Sequence, residues 1–187
     1  MTLLLRPLLC LALLPVLAAC GDRDSRYLLD APAAAAQKRA QIATVEVRDV
    51  SLPSYAADTD IMMQEKDGAL RPIARAVWAD DPTRGVTQAL AGALGAASTA
   101  TVASEPWPLE EPADARVEVR VERMVARPDN TFELAGRYAI ASRYGRIRER
   151  IERFAVSTPM ASQSPGAIAR AQSAAIAELA GQIAGRL

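Results

Sequence analysis

Between Arg116 and Glu122, valine and charge alternate without a break: Val117, Val119 and Val121 are interleaved with Arg116, Glu118, Arg120 and Glu122. Strand side chains point to opposite faces in turn, so this segment reads as a strand with one dry face and one wet face. Such a strand needs an antiparallel neighbour and a cover on its valine side only. The neighbour follows at once. Pro128-Asp129-Asn130 turns the chain back, and Phe132, Leu134, Tyr138 and Ile140 carry the apolar pattern through Gly136 to a second turn at Tyr144-Gly145. The segment from Arg146 to Val156 fits two patterns. Ile147, Ile151 and Phe154 have helical spacing, whereas the short length and the preceding turn suit a third meander strand. Its charges at Arg148, Glu149, Arg150, Glu152 and Arg153 are expected to form a solvated face.

The cover is supplied by two helices. Asp81 can cap free N–H groups, and Pro82 stands at the first helical position, where its missing donor costs nothing. Val86, Leu90 and Leu94, with Ala93 and Ala97 beside them, form one apolar side. Ser164-Pro165 opens a second helix, on which Ile168, Ile176, Leu179, Ile183 and Leu187 make a stripe. Small alanines and glycines on both helices predict close packing on a sheet.

The earlier part of the chain adds Tyr27-Leu28-Leu29 as a first strand and an alanine-rich connection over 33–39. A half-buried strand follows over 42–50, ended by Leu52-Pro53-Ser54-Tyr55. Ile61-Met62-Met63 and Leu70 to Ile73 read as a hairpin around Lys66-Asp67-Gly68, with Pro72 marking an edge position. The expected fold is α+β: a two-layer domain over 27–187, mostly antiparallel, with two helices packed on one face.

Residues 1–19 read as an export signal, with Arg6 ahead of an apolar run from Leu8 to Leu17 that ends in small residues before Gly21-Asp22-Arg23-Asp24. The run is too short for a ~30 Å hydrocarbon core, which needs about 20 residues. Leu17-Ala18-Ala19-Cys20 resembles the bacterial lipobox, in which the cysteine thiol accepts diacylglycerol. Of the two cysteines, Cys10 leaves with the signal and Cys20 becomes a thioether, so the exported domain keeps neither thiol nor disulfide. Residues 20–26 then form a lipidated N-terminus and short tether. Gly21 follows the cysteine, and Asp22 comes one place too late for the inner-membrane preference of enterobacterial lipoproteins. The expected location is the outer membrane, facing the periplasm.

Composition narrows the function. Twenty-two basic residues balance 22 acidic ones, and loss of Arg6 leaves a mature charge of −1, so no basic surplus exists to displace counterions from nucleic acid. With no histidine in 187 residues, Ser-His and Cys-His nucleophiles and His-ligated metals are ruled out. Lys38 and Lys66 fall in loops or linkers, Asp80-Asp81 is expected to cap a helix rather than hold a cation, and Glu110-Glu111 belongs to a proline-flanked loop. No catalytic residue, metal or cofactor is expected beyond the lipid on Cys20.

Taken in order, the lipobox, Tyr27-Leu28-Leu29-Asp30-Ala31-Pro32, Leu52-Pro53-Ser54-Tyr55, Trp78-Ala79-Asp80, Pro106-Trp107-Pro108, a meander and an alanine-rich terminal helix resemble the PqiC/YmbA type of ABC-transport auxiliary lipoprotein. The resemblance implies a non-enzymatic accessory subunit that partners an MCE-domain protein in moving lipids across the envelope. It is not the motor, and the chain carries no phosphate-binding glycine loop.

Trp78 and Trp107 adjoin element ends near proline and are the leading candidates for partner contact; core plugging competes with that role. Tyr27 and Tyr55 share the ambiguity. A lipid or hydrophobic-ligand carrier and a structural envelope lipoprotein are the alternative functions, and exposed strand edges leave a homo-oligomer open.

Overall fold

The computed structural model describes residues 24–29 and 37–187. The export signal, Cys20 and residues 33–36 of the alanine-rich connection lie outside the described residues. Three long strands dominate: β6 (Ala115–Ala126), β7 (Thr131–Ser142) and β8 (Arg150–Pro159) form an antiparallel meander. The two readings of 146–156 thus resolve to a strand. In consequence its charges do not share a face: Arg148 and Glu149 precede β8, and within it Glu152 and Arg153 point apart. Glu152 turns inward to accept from the Tyr138 hydroxyl at 2.8 Å, while Arg153 is exposed outward.

The other edge of β6 is shared end to end by two smaller units. At its start runs β2 (Thr44–Val47), parallel to β6 and carrying β5 (Thr101–Ser104) on its far side. At its end lies β3 (Asp60–Gln64), which pairs β4 (Leu70–Trp78), and β4 in turn pairs β1 (Ser25–Tyr27) in parallel. Between the two units the chain follows β6 through a bridge from Ser51 to Arg120 and then makes the single helical turn α1 (Ser54–Ala57). The result is one mixed, mostly antiparallel sheet of eight strands.

Several expectations shift at the margins. The first strand ends at Tyr27, leaving Leu28 exposed, because its partner β4 stops at Trp78. The strand expected over 42–50 is regular only from Thr44 to Val47, where β5 and β6 flank it on both sides. The Asp67-Gly68 hairpin is present, with Gly68 at φ 89° and its N–H donating to Glu65 at 2.9 Å. Pro72 falls in the half of β4 that β1 does not reach, so its missing donor leaves no ladder bond unmade.

α2 (Pro82–Ala97) and α3 (Pro165–Ala184) pack against each other and against one face of the sheet. Asp81 accepts from the Arg84 N–H at 2.9 Å, and Ser164 accepts from that of Ala167 at 3.4 Å, so both proline-led starts are capped as the sequence implied. The core lies between: Val117, Val119, Leu134, Tyr138, Ile140 and Val156 from the sheet meet Leu90, Leu94, Ile168, Ile176, Leu179 and Ile183 from the helices. No helix among the described residues is long and apolar enough to cross a membrane.

Candidate interaction surface

Three of the four aromatic candidates converge. Trp78 ends β4 with only 7% of its surface exposed and is part of the core. On one side it shares a 20 Å³ cavity with Tyr55, and on the other a 90 Å³ cleft with Tyr27 and the exposed Leu28. The Tyr55 hydroxyl accepts from the Met124 N–H at 3.1 Å, fastening α1 to β6. Tyr27 and Tyr55 are each half-buried against the core.

Trp107 lies apart, on the loop between β5 and β6. Its indole N–H donates to the Glu111 carbonyl at 2.7 Å, which folds the loop back on itself and holds the ring half-exposed. Leu109 on the same loop is 54% exposed. Beneath the two runs a groove of about 350 Å³, floored by Arg116, Ala141 and Ser142 and closed by Glu149. Trp107 stands over the larger of the two openings, whereas Tyr27 and Trp78 line the smaller cleft with Asp80 and Asp81.

The floor of this region is fixed by a residue the sequence did not announce. Asp114 is buried, and its Oδ2 accepts from the N–H groups of Ala43 at 3.0 Å and Thr44 at 3.2 Å, while Oδ1 meets Arg146 at 3.2 Å. Burial works to raise its pKa. The two backbone donors, the Arg146 charge and the Thr44 hydroxyl outweigh that and hold the carboxyl below its ordinary value of 3.8. Asp114 thereby ties β2, β6 and the β7–β8 turn together. Nothing in the local sequence marks it, since its partners lie about 70 residues upstream and 32 downstream.

A second polar tie joins the sheet to the chain just beyond α3. Glu152 accepts from the Tyr138 hydroxyl and from Arg186 Nε at 3.0 Å, and these two bonds hold its pKa down. Lys38 is likewise structural: its ammonium donates to the Gly181 carbonyl at 2.7 Å. Lys66 sits exposed in the hairpin turn, Asp81 is spent as a cap, and Asp80 accepts from the Asp81 N–H at 2.9 Å. Glu110 and Glu111 are exposed on the Trp107 loop. Among the described residues no three acidic, cysteine or histidine side chains are grouped as a metal site.

The fold is a two-layer α+β domain, one mixed sheet with two main helices on it. The chain belongs to the ABC-type transport auxiliary lipoprotein component family, whose pattern matches residues 27–184. It is therefore an auxiliary component of an ABC-type transport system. No curated protein is similar to it in sequence at a significant level. Among solved structures, an uncharacterized protein superimposes with a TM-score of 0.69 at 15% identity, over 87% of this chain and 97% of that one. A Xanthomonas campestris protein of the DUF330 family does so with a TM-score of 0.60 at 17% identity, over 87% and 91%. At these identities the two likenesses establish the shared fold.

Proposed function

We propose that this protein is a non-catalytic, lipid-anchored accessory subunit of an MCE/ABC-type lipid-transport system, tethered by Cys20 to the outer membrane and facing the periplasm. The observation that carries this reading is the distance between anchor and domain: the family match begins at residue 27, seven residues after Cys20. A tether of that length spans at most about 25 Å, so the domain works at its own membrane surface. Several acyl chains at about 0.8 kcal/mol per buried methylene hold it there far more firmly than one. The Trp107 groove and the Tyr27–Trp78 cleft are the contact sites offered to an MCE-domain partner.

The carrier alternative, which places an acyl chain between sheet and helices, fares worse on geometry there. An acyl chain needs a pocket of roughly several hundred Å³. The space lined by Tyr55, Ile61, Met124, Phe132, Ile168 and Gln172 under the helices is 20 Å³, enough for about one water. The test is Cys20→Ala expressed in cells. It should abolish incorporation of labelled palmitate, release the chain from the outer-membrane fraction and remove the transport-dependent resistance to detergents. Retention in that membrane without label would overturn the anchor. Failure of the wild type to co-purify with any MCE-domain protein would overturn the partner.

A further inference from the structure

The side of the sheet away from α2 and α3 carries a row of like charge. Arg120 of β6 pairs in register with Arg137 of β7, and Arg137 with Arg153 of β8. All three are exposed, and residues directly paired across strands share a face. The domain's other arginines are mostly spent: Arg116 meets Glu46 at 3.1 Å, Arg123 and Arg127 share Glu133, and Arg146 meets Asp114. No ion pair or hydrogen bond holds the side chains of Arg120, Arg137 or Arg153 among the described residues, although Glu118 and Glu122 stand two positions either side of Arg120 on the same strand. Like charges directly opposite one another destabilise a sheet. The free domain therefore bears a repulsion that no direct ion pair among the described residues relieves.

We propose that this open face docks an acidic helix of a partner protein, laid across the strands along the arginine row. Three adjacent strands place the arginines over about 10 Å, at roughly 4.8 Å per step. Acidic residues at i, i+3 or i+4, and i+7 of a helix cover about 10 Å at a rise near 1.5 Å, so each finds one guanidinium. An extended partner would space alternate carboxylates at roughly 6.7 Å and fall out of step. The bed suits a helix. Ala139 and the 75% exposed Ile151 border the row on one side, and Ala135 and Ala155 on the other, leaving shallow flanks beside a charged line. An anionic membrane is the poorer occupant, because Glu118 and Glu122 would be pressed against it, whereas a partner of patterned charge avoids them. None of the clefts described above is lined by the row, so a small free anion would lie unenclosed and weakly held.

The inference needs only the sheet and is separate from the lipid-transport reading. Its test uses the full chain in phosphatidylcholine nanodiscs at low salt, titrated against a labelled helical peptide of about 20 residues with glutamates at these spacings. A peptide with glutamines in their place is the control. The glutamate peptide should bind about tenfold more tightly than the control, and Arg137→Thr should remove most of that difference. The melting temperature of Arg137→Thr should stay level or rise, which a merely structural arginine would not allow. Equal binding of the two peptides, or binding unchanged in both Arg137→Thr and Arg120→Thr, would overturn the proposal. So would capture by phosphatidylglycerol vesicles that exceeds peptide binding and is lost in the same variants, since that outcome assigns the row to a membrane.

Discussion

The two faces of the β6–β8 meander are built from the same thirty-odd residues and do opposite things. Toward the helices, Val117, Val119, Leu134, Ile140 and Val156 are buried, and Tyr138 stacks on Phe154 with ring centroids 6.4 Å apart. Away from them, Arg120, Arg137 and Arg153 stand in a row that no ion pair among the described residues engages. The inner face is chosen for cohesion; the outer face accepts repulsion. Cohesion on the inner side holds the fold, and repulsion on the outer side marks the face to which we assign a partner.

The difference can be broken most sharply from inside. Leu134→Ala removes a side chain that is 1% exposed and should cost about 3 kcal/mol in urea unfolding, with the outer face unaffected. Gly136→Ala should cost about 2 kcal/mol or more, because a Cβ there would run into the backbone of Arg120 and Val121, where β6 shifts register. That substitution also tests the row: amide shifts confined to the bulge would show that the register of Arg120 on Arg137 survives it. Asp114→Asn should cost about 2 kcal/mol at neutral pH, since a buried carboxylate loses charge-assisted bonds. Asp114 has a folded pKa held below 3.8, so its contribution is complete above that value and fades as pH falls through the lower folded one. The gap between wild type and Asp114→Asn should therefore close in acid. A gap that persists at low pH would mean that the shape of Asp114, rather than its charge, matters.

Gln172→Met should gain about 1 kcal/mol, because the buried Gln172 Nε2 has no partner among the described residues. The smallest effect belongs to the outer face. Arg137→Thr should stabilise by about 0.5 kcal/mol as cross-strand repulsion is relieved. A loss there as large as that of Leu134→Ala would erase the distinction between the faces.

How far the sequence reached depends on the range of the interaction concerned. The valine alternation of β6 is a property of one strand, and it named the dry and wet faces correctly. The caps at Asp81 and Ser164 act within three residues and were equally legible. β5 was missed, because Thr101 to Ser104 has no pattern of its own and is ordered by β2 alongside it. Trp107 and Trp78 looked alike in sequence, each near proline at an element end. Only packing separates the second, closed into the core, from the first, set over an open groove.

The sequence by itself determined the two-faced central strand, the capped helices and an α+β domain to hold them. It also placed Arg120 on the wet side. Tertiary structure alone decided that Arg137 and Arg153, 17 and 33 residues further on, stand beside it, that residues 150–159 extend the sheet, and that Asp114 closes on Ala43, Thr44 and Arg146. The physical reason is one of locality. Side-chain alternation and capping are set by a residue's own few neighbours, whereas register is set by where a distant strand can bury its apolar face, and only the whole fold fixes that.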